Sequence, residues 1–145
     1  MVTTMLAIAA CSHLPVYSHY EHLDSDGWDS RDSITFTAGV SDSGVYQLVL
    51  GLRANNTFPF TQLTLVAHCH SAVSHVDRTD TITLNITDNE GNMKGKGTTF
   101  FHYDALLPNM ILFDQDTLSV TVAHVMTRRL LPGVTDVGLT VEAVR

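Results

Sequence analysis

The feature that most restricts how this chain can fold is the alternation of side-chain type at every second residue. Across 45–53, Tyr46, Leu48, Leu50 and Leu52 alternate with Gln47, Val49, Gly51 and Arg53. Successive side chains of a strand leave opposite faces, so this pattern marks a half-buried strand, whereas a helix would scatter it around its axis. The same period recurs at 33–40 (Ile34, Phe36, Ala38, Val40), 62–70 (Leu63, Leu65, Ala67, Cys69) and 80–87 (Ile82, Leu84, Ile86). It returns at 116–126 (Leu118, Val120, Val122, His124) and at 136–144 (Val137, Leu139, Val141, Ala143).

Turn formers separate these runs: Ser41-Asp42-Ser43-Gly44, the segment Asn55 to Phe60 with its Pro59, Asp88 to Asn92, and Pro132-Gly133. Residues 71–78 read as a polar connection. Residues 98–110 fit either a short helix or a strand running into a loop, and Pro108 ends either one. Gly95 and Gly97 leave a strand partly bare, so something packs closely over them or the chain bends there. With no long helix and no repeat, the expectation is all-β: a single antiparallel β-sandwich or jelly-roll-like domain of seven to eight strands.

The chain's 145 residues suffice for one domain with its own core. Its first segment, Met5 to His13, closes a short apolar run on Ala9-Ala10-Cys11. Small residues before a cysteine are what a lipoprotein signal peptidase requires, and the cysteine thiol then carries the lipid. The run is barely ten residues and has no basic residue before it, so a late start codon and an N-terminal strand are both open readings. The expected division is a truncated signal peptide at 1–10, an anchor and leader packing on the domain at 11–32, and the β domain at 33–145. Acylated, Cys11 leaves Cys69 alone and the fold without a disulfide; unacylated, a Cys11–Cys69 bridge is open in an oxidising compartment. No apolar stretch approaches the roughly 20 residues of a membrane-spanning helix, so no integral membrane protein is expected.

Fifteen acidic against eight basic residues give a net charge of -7, which argues against a nucleic-acid partner. Trp28 follows an Asp26-Gly27 turn and reads either as a plug over the core edge or as a stacking platform for a sugar or peptide. His68 and His70 share a strand face suited to two metal ligands, but no third ligand stands at useful spacing. Asp88, Glu90 and Asn92 alternate like calcium ligands, yet Gly91 falls too early and Thr99 occupies the twelfth position, so a side-chain-capped turn is the simpler account. No nucleophile elbow or phosphate loop is present, and no carboxylate pair stands out. The expectation is therefore no enzyme, no cofactor and no metal. Arg128-Arg129, a doublet in a chain poor in cations, suits a solvated loop or a contact with a partner's carboxylates or anionic lipid.

Several segments together resemble a known family. They are Gly27-Trp28-Asp29, Leu52 through Phe60, Asp80-Thr81-Ile82, Asp88 through Gly97, and Met126 through Leu139. In order and spacing they are similar to the gliding-motility lipoprotein GldH family of the Bacteroidetes. The resemblance implies a lipidated Cys11, an envelope location facing the periplasm, and no known catalytic activity or cofactor. Its implied partners are the membrane, through the lipid anchor, and other envelope or gliding proteins. Arg53, Gly95, Gly97, Arg129, Pro132 and Gly133 are matching positions, and Trp28, Arg53, Arg128 and Arg129 are the candidate contact residues.

Overall fold

The computed structural model describes residues 15–144, so Cys11 lies outside the described residues. Ten strands are present among them: β1 Tyr17–His22, β2 Trp28–Asp29, β3 Ile34–Val40, β4 Gly44–Ala54, β5 Gln62–Ser71, β6 Val76–Asn85, β7 Phe101–Leu112, β8 Asp116–His124, β9 Leu130–Leu131 and β10 Val134–Ala143. They form an all-β domain of three antiparallel sheets, two of four strands in the orders β1-β10-β4-β7 and β3-β8-β5-β6, and the small pair β2-β9. One buried cluster draws on both larger sheets: Leu48, Leu50 and Leu52 from β4 and Leu139 and Val141 from β10 meet Phe36, Leu63, Leu65, Leu118 and Val120. These are the residues that the alternating pattern turns inward. Ala143 is the exception, exposed where β10 ends.

Three segments differ from their sequence pattern. Residues 17–22 form a true edge strand paired with β10, although only Tyr17 and Tyr20 are partly buried. β6 begins at Val76, because Arg78 bonds Asp80 (Nε to Oδ2, 2.8 Å) and donates to the Pro108 carbonyl (2.8 Å), which lets charged residues occupy positions the pattern reserves for apolar ones. Pro108 does not end its element: β7 runs on to Leu112, on the edge of its sheet, with Leu107 opposite Leu48 and Met110 opposite Tyr46. Two residues there face one on β4, a bulge that accommodates a residue with no N–H.

At the glycines, both expected consequences occur. A Cβ on Gly95 would lie 2.7 Å from the Tyr103 ring, and Gly97 turns the chain at φ +138°. Tyr103 packs there with its hydroxyl donating to the Ile86 carbonyl at 2.7 Å. The backbone of 93–97 pairs with its neighbours through isolated bridges, Thr87 with Met93 and Lys96 with His102.

Strand direction gives the domain two unlike ends. At one, the connections are short: 41–43, 72–75 and 113–115. At the other they are long: 23–33, 55–61, 86–100 and 125–133, with β2 and β9 inside them. The ten residues of β10 span about 33 Å between the two. Pro15 enters at the short-loop end, where the Val16 N–H bonds the Val141 carbonyl (2.9 Å).

Candidate functional site: the long-loop end

Apart from Asp80-Thr81-Ile82, which lies within β6, the segments that carry the family resemblance reach the long-loop end, and local chemistry explains how. Gly133, at φ +91°, lies directly against the backbone of Phe58, where a Cβ would come within 2.5 Å of the Phe58 Cα. The Asn55 N–H bonds the Gly133 carbonyl (2.8 Å), and the Thr135 hydroxyl donates to the Arg53 carbonyl (3.3 Å). The Leu52–Phe60 and Pro132–Gly138 stretches are thus two halves of one lock. Gly95, Gly97 and Gly133 are fold positions.

Trp28 is 2% exposed. Its indole N–H donates to the Asp32 carbonyl (2.8 Å), and its ring meets that of His124 edge-on at 5.2 Å. Such a ring plugs the core edge and has no open face for a sugar, which corrects its place among the contact residues. His124, inward on β8 as expected, does more than fill space. Its Nε2 lies 2.8 Å from the Trp28 carbonyl and 3.2 Å from that of Arg129, and the Met126 N–H points to Nδ1 at 3.3 Å. Two carbonyl acceptors at Nε2 and one donor at Nδ1 fit a neutral ring protonated on Nε2. One buried imidazole therefore clasps β2, β8 and the β9 loop.

The arginines separate by what holds them. Arg129 Nε meets Asp29 Oδ2 at 3.2 Å, and Arg31 bonds the same carboxylate. Hydrogen bonds from the Arg31 side chain, its backbone N–H and the nearby Arg129 charge bring the Asp29 carboxyl down to about 2. Arg53 lies over the Tyr20 ring, 4.8 Å from its centroid. Arg128 is exposed and makes no ion pair among the described residues.

Tyr20 is what sequence reasoning missed. In the four-strand register it stands beside Gly138 and Gly51, and its ring covers both, so that a Cβ on Gly138 would meet ring carbons at about 2.5 Å. The ring fills a trough that two paired glycines leave in the outer face of the sheet. Burial, with Asp104 adding to it, pushes the phenol up. The available signal was Gly51 and Gly138 on interior strands, where glycine marks a close approach.

Beside this trough two open hollows flank Phe100, which is 55% exposed. One, of about 400 Å³, is lined by His22, Arg53, Phe100, Thr135 and Asp136; the other, of about 320 Å³, includes Asn55, Asn56, Met93 and Phe100. Elsewhere, His68 bonds Asp77 (2.6 Å), and among the described residues no group of three histidine, cysteine or acidic side chains could hold a metal. Asp88 accepts the N–H groups of Glu90 and Asn92 at 2.9 and 2.8 Å, which is the capped turn expected of it. Cys69 is buried and unpaired, and burial raises its thiol pKa.

These observations define a β scaffold that displays a locked set of long loops, without a catalytic constellation among the described residues. The family model described as GldH lipoprotein matches residues 15–141, and the chain belongs to that family. The gliding motility lipoprotein GldH of Flavobacterium johnsoniae is 24% identical over 150 residues, covering 98% of this chain and 93% of that protein. Among solved structures, the Eiger TNF of S. frugiperda aligns at TM-score 0.36 with 13% identity over 91% of this chain and 94% of that one. A CocE/NonD family hydrolase from Staphylococcus aureus aligns at 0.44 with 12% identity over 90% of this chain, which spans 33% of the hydrolase. Likeness at that level says nothing about ligand or reaction.

Proposed function

We propose that the chain is a non-enzymatic cell-envelope lipoprotein, held to the membrane by acylated Cys11. In this reading it serves as an interaction component of gliding-motility or related envelope machinery. The observation that carries the reading is the family match over 15–141. Support for a docking role comes from the long-loop end, where the matched segments are locked into one surface and Arg128 stays free to meet a partner's carboxylate. Arg53 and Arg129 take supporting places, one against Tyr20 and one against Asp29. The eight long strands fit a jelly roll, which packs two four-stranded sheets, and here successive long strands alternate between the sheets except at the β5–β6 hairpin.

Two measurements test this. Radiolabelled palmitate should enter the native chain and not Cys11→Ser; equal labelling overturns the anchor. A photo-crosslinker placed at exposed Leu130, near Arg128, should capture a discrete envelope protein that one placed at exposed Thr37, in the middle of β3, does not. The same capture from both positions overturns the docking surface.

A second reading is favoured by Phe100. An exposed aromatic beside Arg53, Asp136 and Asn55 supplies the stacking face and planar polar groups that a glycan or peptide would use. Titration of cell-surface glycan with the native chain and with Phe100→Ala tests it, and equal binding of the two removes it.

A further inference from the structure

The short-loop end has a composition that a lipid-tethered domain would need in order to touch its membrane. Six of the ten large apolar side chains exposed among the described residues gather there: Val16, Val45, Val73, Ile111, Phe113 and Val144. Ile111 is 62% exposed, Val73 50% and Phe113 47%. They are neighbours in space as well as in topology. Val45 stands opposite Ile111 across the β4–β7 ladder, and the Val144 N–H bonds the Val45 carbonyl at 2.9 Å.

The loops that carry them are pinned. The Phe113 N–H bonds Ser74 Oγ (2.8 Å), and the Asp114 N–H bonds Ser43 Oγ (2.9 Å). Behind them the buried Asp116 carboxylate accepts the Ser74 hydroxyl together with the N–H groups of Val73 (3.3 Å) and Ser74 (2.9 Å). The apolar side chains are thus presented from a fixed frame.

Chain length decides what lies opposite. Cys11 is four residues before Pro15, and four residues reach at most about 14 Å even when fully extended. Pro15 enters at this same end, so a bilayer holding acylated Cys11 stands within about that distance of Pro15, on the side of the domain that carries the apolar cluster. The lateral faces are poor alternatives. The outer face of the β3-β8-β5-β6 sheet presents hydroxyls, with Thr35 paired to Thr121 and Thr64 to Thr83. The other sheet presents Tyr20, Arg53, Asp104 and Asp136. Apart from Leu106, exposed on the second of these faces, either would lose hydration against lipid with little apolar return.

We propose that the short-loop end rests on the bilayer that holds the anchor, with Phe113, Ile111 and Val73 seated among its headgroups and the long-loop end held about 30 Å away. The inference rests on the reading of Cys11 as the lipidated residue. Asp42 and Asp114 are exposed in the same loops, which selects a zwitterionic lipid surface over an anionic one.

The test uses the full chain on zwitterionic vesicles made with and without brominated acyl chains, attached in two ways. One sample carries its native acyl groups. The other is coupled through the Cys11 thiol to a maleimide-headgroup lipid, a reaction in which buried Cys69 does not compete. Two exposed reporters, Phe113→Trp and Phe100→Trp, are compared, with buried Trp28 contributing the same background to both. Bromolipid should quench and blue-shift the Phe113→Trp emission and leave that of Phe100→Trp unchanged. No quenching of Phe113→Trp on the chemically tethered chain, or equal quenching of both reporters, overturns the proposal. A native chain that carries no acyl group removes the anchor reading, while the tethered sample still decides whether this end meets lipid.

Discussion

The two ends of the domain solve the same problem, holding loops in place, with opposite chemistry, and a single strand supplies both solutions. β8 begins at Asp116 and ends at His124, and both are buried. At the short-loop end a carboxylate gathers backbone N–H groups and a serine hydroxyl. At the long-loop end an imidazole gathers two carbonyls. A charged clasp holds a loop of four residues tightly, since hydrogen bonds to an ionised group are about twice as strong as neutral ones. The neutral clasp holds a longer segment through its carbonyls and leaves Arg128 and Leu130 exposed beyond it. The difference fits a molecule with one end built as a platform and the other as a display.

Breaking the charged clasp should have the largest effect. Asp116→Ala strands the N–H groups of Val73, Ser74 and Thr117, and a loss of about 3 kcal/mol in urea unfolding is expected, since hydrogen bonds to charged groups contribute about 1.5–3 kcal/mol. Amide exchange at 72–75 should rise in the same variant, with 125–133 unchanged. The contribution is also pH-dependent. Burial alone would raise the Asp116 carboxyl, but hydrogen bonds from Ser74, Ser71 and Thr117 outweigh it and bring the group from 3.8 down to about 2. A depressed carboxyl stabilises the fold above its unfolded value. The stability gap between native and Asp116→Ala should therefore be full above pH 4 and close as pH falls through 2. A gap that stays constant to pH 2 would show that the carboxylate is not the clasp.

The neutral clasp should cost less. His124→Leu keeps most of the volume beside Trp28 but removes the ring donor from the Trp28 and Arg129 carbonyls, of which the Arg129 carbonyl still accepts the Ser30 N–H (2.9 Å), for an expected loss of about 1–2 kcal/mol by chemical denaturation. Its signature is local: Trp28 fluorescence should shift as the indole loses its edge-on neighbour, and the short-loop end should keep its exchange protection. If both ends loosen together in either variant, the domain is one cooperative unit and the division into two clasps fails.

How much of this was legible depends on whether a residue's role repeats along the chain. Inward positions of β3, β4, β5, β8 and β10 repeat every second residue and were readable for that reason. β1 was not, because an edge strand across a polar face buries little on either side, and its pattern lacks alternation. Pro108 misled because a proline forbids a central strand but not a bulged edge, and sequence alone does not say which strand is an edge. The site residues divide the same way. Arg128 was visible as an unusual doublet, whereas Tyr20 was invisible because its partners, Gly51 and Gly138, come from strands far apart in the chain. The six apolar residues of the short-loop end are scattered from Val16 to Val144 and become one surface only through topology.

Tyr20 is also where the two ends are joined, since β1 runs from one toward the other along β10. Gly138→Ala places a methyl where ring carbons now lie and should lift the tyrosine from its trough, costing about 1–2 kcal/mol, within the range for overpacking. Arg53 would lose its aromatic neighbour, a change readable as a downfield return of its ring-current-shifted side-chain resonances. The smallest effect should come from Arg128→Ser. An exposed cation without an ion pair contributes less than about 0.5 kcal/mol, so unfolding should be unchanged. Loss of partner crosslinking in that variant, with native stability, would separate recognition at the long-loop end from the folding that both ends share. An unaltered crosslink would assign recognition to the locked backbone segments and return Arg128 to the solvent.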